Sequence, residues 1–87
     1  MERINIVCYA TDIQNRKSIF TQSIYNKEIL NDYIKMPISE WCSEYFNIGE
    51  AKELHDSEFD YTFIIYEEVN IFVDGVLDKT FENYYDI

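Results

Sequence analysis

A chain of 87 residues supplies one small core and is too short for two. With 47% apolar and 17% aromatic residues, two glycines and one proline, it is not a disordered segment, and regular structure should dominate. A net charge of −10 argues against direct binding to nucleic acid or to an anionic membrane, both of which call for clustered Lys and Arg.

Residues 3–10 alternate Ile4, Ile6 and Cys8 against Asn5, Val7 and Tyr9, which predicts a strand. Thr11 to Asn15 is a polar connection, and residues 17–25 form a second strand with Ile19, Phe20, Ile24 and Tyr25 as its apolar members. Asn26 is placed to cap a helix over 27–36, with Glu28 beside the positive end of its dipole and Ile29, Leu30, Tyr33 and Ile34 at helical spacing. Pro37 disfavours helical geometry at Met36 and stops that helix. Ser39 caps a second helix over 40–48, with Trp41, Cys42, Tyr45 and Phe46 as its apolar stripe and Gly49 at its end. Glu50 to Ser57 reads as a polar connector.

From Glu58 the period changes to two, and a strand is predicted over 58–66, with Phe59, Tyr61, Phe63 and Ile65 on one face. Asp74-Gly75 signals a two-residue hairpin between strands at 70–73 and 76–81. Counting outward from that turn sets Glu67 against Glu82, a like-charge pair, so a turn or bulge is expected near Glu67 to Asn70. The expected order is ββααβββ: a single α+β domain over 1–87, an antiparallel sheet with two short helices on one face. Its expected core is Ile6, Ile29, Leu30, Ile34, Trp41, Phe46, Phe63 and Ile65.

The search for chemistry finds little. His55 is the single histidine, and a transition-metal site draws on several His or Cys ligands at defined spacing. Asp56, Glu58 and Asp60, with Glu67 at the twelfth position, imitate a calcium loop, but Tyr61 stands where that loop needs glycine. Neither Cys8 nor Cys42 lies in a context for nucleophilic catalysis, and two glycines cannot build a phosphate-cradling loop. No enzymatic activity, metal or cofactor is expected. The N-terminal apolar run, Ile4 to Ala10, is weaker than a signal-peptide core, so a cytoplasmic protein with reduced thiols is expected.

The charge is lopsided. Residues 1–37 balance at +1, whereas residues 38–87 carry thirteen acids against Lys52 and Lys79, a balance of −11. Eleven of the fifteen aromatics also lie after residue 40. Carboxylates two apart on a strand project on one face about 6.6 Å apart and can present negative charge to a groove built for phosphates. Tyrosine adds contact area and a hydroxyl for little entropy. Glu58, Asp60, Glu67, Glu68, Glu82, Tyr84, Tyr85 and Asp86 are therefore the candidate partner-binding residues, and the expected partner is a basic nucleic-acid-handling protein. In size, charge and composition the chain resembles the small acidic proteins with which bacteriophages block CRISPR or restriction systems. That likeness implies an inhibitor acting as a nucleic-acid mimic and transfers no individual residue. An immunity protein against a basic nuclease toxin, or a subunit whose charge serves solubility alone, has the same sequence character.

Overall fold

The computed structural model describes residues 1–46, 53–57 and 60–84, with backbone alone for 53–57 and 60–63. The elements are β1 (Ile4–Asp12), β2 (Lys17–Ile24), α1 (Lys27–Lys35), α2 (Ile38–Tyr45), β3 (Glu53–Ser57), β4 (Asp60–Val73) and β5 (Val76–Tyr84). This is the expected ββααβββ order in an α+β fold. The five strands make one antiparallel sheet in which β2, β1 and β4 are neighbours, and β4 also pairs with β3 and β5.

Local chemistry accounts for the joints. The Asn26 side chain accepts from the backbone amides of Glu28 and Ile29 at 2.9 and 3.3 Å, closing the first turn of α1. Met36, ahead of Pro37, is extended (φ −94°, ψ 149°), and α1 stops there. Asp74 (φ 49°) and Gly75 (φ 85°) form the hairpin turn between β4 and β5. The Asp74 carboxylate also accepts from the amides of Glu2 and Arg3 at 2.7 and 3.0 Å, fastening the chain start to the turn. At the other hairpin, Asp12 is buried. Burial alone would raise its pKa, but the Arg16 amide and guanidinium and the Gln14 amide outweigh it and hold the carboxyl below its usual range.

Both helices lie on one face of the sheet. Leu30 and Tyr33 of α1 and Trp41 and Cys42 of α2 pack on Ile4, Ile6 and Cys8 of β1, Ile24 of β2, and Val69 and Ile71 of β4. The Trp41 indole donates to the Ile29 carbonyl at 3.0 Å, and the Tyr33 ring meets it edge-on, with centroids 5.0 Å apart. Of the expected core, Ile6, Leu30 and Trp41 are buried, while Ile29, Phe46 and Ile65 are half-buried. The Phe63 side chain and Gly49 lie outside the described residues.

Four expectations are corrected. Ile34 is 71% exposed. Ile29, Leu30 and Tyr33 share the sheet-facing arc of α1, and one residue, about 100°, beyond Tyr33 passes its edge. Ser39 is not the cap of α2: the helix begins at Ile38 after Pro37, and no side chain caps it. Residues 53–57 form a strand, because they find a partner in residues 60–63 of β4.

The fourth correction concerns β4, which runs unbroken through Glu67 to Asn70. The irregularities lie elsewhere. Against β1, β4 carries an extra residue at Ile65, between Tyr66 (opposite Thr11) and Ile64 (opposite Asp12). Against β5, the extra residue is Asp78, between Leu77 (opposite Phe72) and Lys79 (opposite Ile71). A tertiary contact fixes this second bulge. The Tyr33 hydroxyl donates to Asp78 at 2.5 Å, and the Lys79 ammonium lies 5.1 Å from the centre of the Tyr33 ring. The bulge shifts the ladder beyond it by one residue, so Glu82 faces Glu68 instead of Glu67.

Candidate functional site

With the helices stacked on one face, the other face of the sheet is uncovered by the described residues, and the strand registers write its surface as rows. Ile19, Tyr9, Glu68 and Glu82 stand opposite one another across β2, β1, β4 and β5. The row beside it is Lys17, Thr11, Tyr66 and Tyr84, and the row on the other side is Thr21, Val7, Asn70 and Thr80. Ile19, Tyr9 and Tyr84 are 64%, 46% and 74% exposed, a large apolar and aromatic fraction for an uncovered surface. Between β2, β1 and β4 the face dips into a depression of about 440 Å³ lined by Tyr9, Thr11, Lys17, Ile19, Tyr66 and Glu68.

The central electrostatic feature is the pair Glu68 and Glu82, directly opposed across β4 and β5. Opposed residues hold their Cβ atoms about 4.5–5.5 Å apart, and like charges there repel. The Tyr66 hydroxyl donates to Glu82 at 2.8 Å, while Glu68 accepts no hydrogen bond and makes no ion pair among the described residues. Donation to Glu82 is the main reason that the Tyr66 phenol is pushed up to about 12, with burial and the neighbouring carboxylates adding to it. The Tyr66 and Tyr84 rings lean on each other with centroids 5.1 Å apart.

Of the residues singled out from sequence, Glu68, Glu82 and Tyr84 therefore meet on one surface. Glu67 does not. Its side chain points to the helix side, is fully buried, and accepts from the Cys8 thiol at 3.0 Å. Glu58, Tyr85 and Asp86 lie outside the described residues, and Asp60 opens β4 with its backbone alone described. Tyr9, Ile19 and Tyr66 were missed. The alternation of residues 4–10 already puts Tyr9 opposite the core-facing set, but the charge excess lies in the second half of the chain.

No family model, curated protein or solved structure matches this chain. Its chemistry must be taken from its own geometry. Both thiols are buried; burial, followed by the hydrogen bond to Glu67, pushes Cys8 up, and burial pushes Cys42 up to about 12, so neither is a ready thiolate. Among the described residues no three His, Cys, Asp or Glu side chains gather as a metal would require, and no helix is long and apolar enough to cross a membrane. The imitation of a calcium loop is undone in the backbone, since residues 53–57 and 60–73 are paired strands and Glu67 points into the core. The surface can offer opposed carboxylates among tyrosine rings.

Proposed function

We propose that this chain is an inhibitor that docks the uncovered face of its sheet onto the basic surface of a nucleic-acid-handling protein, as phage proteins that block CRISPR or restriction systems do. The observation that carries the reading is the opposed pair Glu68 and Glu82, set among Tyr9, Tyr66 and Tyr84 without an ion pair among the described residues. A partner guanidinium laid between the two carboxylates relieves their repulsion, donates to both and stacks on the rings, which suits arginine better than the compact ammonium of lysine. The surplus negative charge of residues 38–87 draws a basic surface towards that pair, and the aromatics hold it once it arrives. The inhibitor would act in the cytoplasm, where its free buried thiols, Cys8 and Cys42, stay reduced.

The test is affinity capture from bacterial lysate with the tagged chain, followed by competition with a DNA oligonucleotide. The reading expects a basic nucleic-acid-binding protein that the oligonucleotide displaces. A partner that is acidic, or that binds both ligands at once, contradicts it. A captured nuclease toxin encoded next to this chain would replace phage anti-defence with immunity.

A further inference from the structure

Among the described residues the sheet has two long edges, and only one is defended. An exposed edge strand presents unpaired amides and carbonyls, a template for another strand, and proteins blunt it with charge, proline or a bulge. Edge strand β5 has such protection: Asp78, Lys79 and Glu82 lie along it, and the bulge at Asp78 breaks its run. Edge strand β2 has almost none. Its sequence, Lys-Ser-Ile-Phe-Thr-Gln-Ser-Ile, has no ionisable group after Lys17, no proline, and several β-branched or aromatic residues. Eight consecutive pairs join it to β1 without an irregularity, so its outer edge is regular from end to end. Apart from Ile24, its side chains are exposed or half-buried, with Ile19 the most open of its apolar residues.

We infer that β2 is a self-association edge, where a second copy of the chain adds its own β2 antiparallel about a two-fold axis. Charge selects the place for this occupant. Two chains of net charge −10 repel, and β2 is an edge strand that itself carries no acid. A basic partner is drawn instead to the carboxylates of β4 and β5, at the opposite side of the sheet. In the register centred on Phe20, each half-buried Phe20 ring covers the other on the helix side, Ile19 lies against Thr21 of the second copy on the uncovered side, and Lys17 faces Ser23. The dimer then joins two uncovered faces into one continuous surface. This inference does not depend on the proposed partner, because it is measured on the pure protein.

The experiment is sedimentation velocity of the full chain at concentrations up to about 100 µM, since an association of this kind follows mass action. The unmodified chain should sediment as a dimer at the upper concentrations. Ile19→Lys with Thr21→Lys, both on exposed side chains, should weaken dimerisation at least tenfold while leaving the far-ultraviolet circular dichroism unchanged. Thr80→Lys, on the β5 edge, should leave the dimer intact. If the double variant loses its fold, Thr21→Lys alone, on an exposed side chain, supplies the charge and should weaken the dimer in the same direction. A chain that stays monomeric throughout, or a dimer that survives charge on β2, overturns the inference.

Discussion

The two faces of this sheet use the same residue types for opposite ends. Glu67 and Glu68 are consecutive, yet one is buried against the Cys8 thiol and the other stands on the uncovered surface beside Tyr9. Tyr33 and Tyr66 both donate to carboxylates, Asp78 and Glu82. The first bond ties a helix to the sheet; the second belongs to an exposed row. Strand parity, and not residue type, decides which acid supports the fold and which is available to a partner.

The largest expected effect separates the consecutive acids. Glu67→Lys buries an ammonium where a carboxylate accepted a hydrogen bond, and should destabilise the protein by about 3–5 kcal/mol, enough to unfold much of so small a domain. Glu68→Lys on the open face should stay within about 0.5 kcal/mol of the parent in urea melts. Equal losses would mean that the faces are assigned wrongly.

Nearly as large is the contrast between aromatics. Trp41→Ala empties the centre of the core and should cost about 3–5 kcal/mol. Tyr9→Ala, on the uncovered face, should cost less than about 1 kcal/mol in the same melts and act instead on partner binding.

Much of this contrast was legible in the sequence. The alternation from Ile4 to Cys8, the Asp74-Gly75 turn and the extended Met36 before Pro37 each follow from local chemistry. Glu67 takes the buried side with Val69 and Ile71 by parity alone. The facing of Glu82 was not legible, because the bulge at Asp78, which accepts from Tyr33, 45 residues away, shifts the β5 ladder. The expectation that the strand would break to avoid opposed glutamates failed on that bulge. The chain tolerates Glu68 opposite Glu82, with the Tyr66 hydroxyl on one of them. The extra residue at Ile65 likewise turns Ile64, not Ile65, into the core, and no local pattern announces it. Of the site, the acids Glu68 and Glu82 and the ring of Tyr84 could be named from charge and composition. The side of Tyr9 was legible in the alternation of residues 4–10, but only the register brought it and Ile19 into one row with Glu68 and Glu82.

The faces should also part on titration. Asp12, Asp74 and Asp78 serve the scaffold, and all three are held below their ordinary value of 3.8. Their stabilisation is fully present above that value and is lost as pH falls through the lower folded values, so urea midpoints should drop in strong acid. Tyr45 and Tyr66 run the other way. Their stabilisation is present below 10.0 and is lost as pH rises towards about 12. Glu82→Gln weakens the acceptor of Tyr66 alone, so a tyrosinate absorbance titration should show one phenol ionising earlier while Tyr45 stays at about 12. Two phenols moving together would contradict the separation of the faces.

The smallest effect is a gain. Glu68→Gln removes the like-charge opposition and should raise stability by about 0.2–1 kcal/mol at low salt, with the gain shrinking as salt is added. A loss of stability would mean that Glu68 already has a counter-charge in the folded chain.

The most direct test of the docking surface is the association rate with the captured partner, followed across ionic strength for paired charge reversals. Glu68→Lys with Glu82→Lys should slow association about tenfold or more at low salt and flatten its salt dependence. Glu2→Lys with Glu44→Lys, of equal charge change on exposed positions away from that face, should slow it far less. Association that ignores salt, or that suffers as much from the second pair as from the first, would contradict a partner held by the uncovered face.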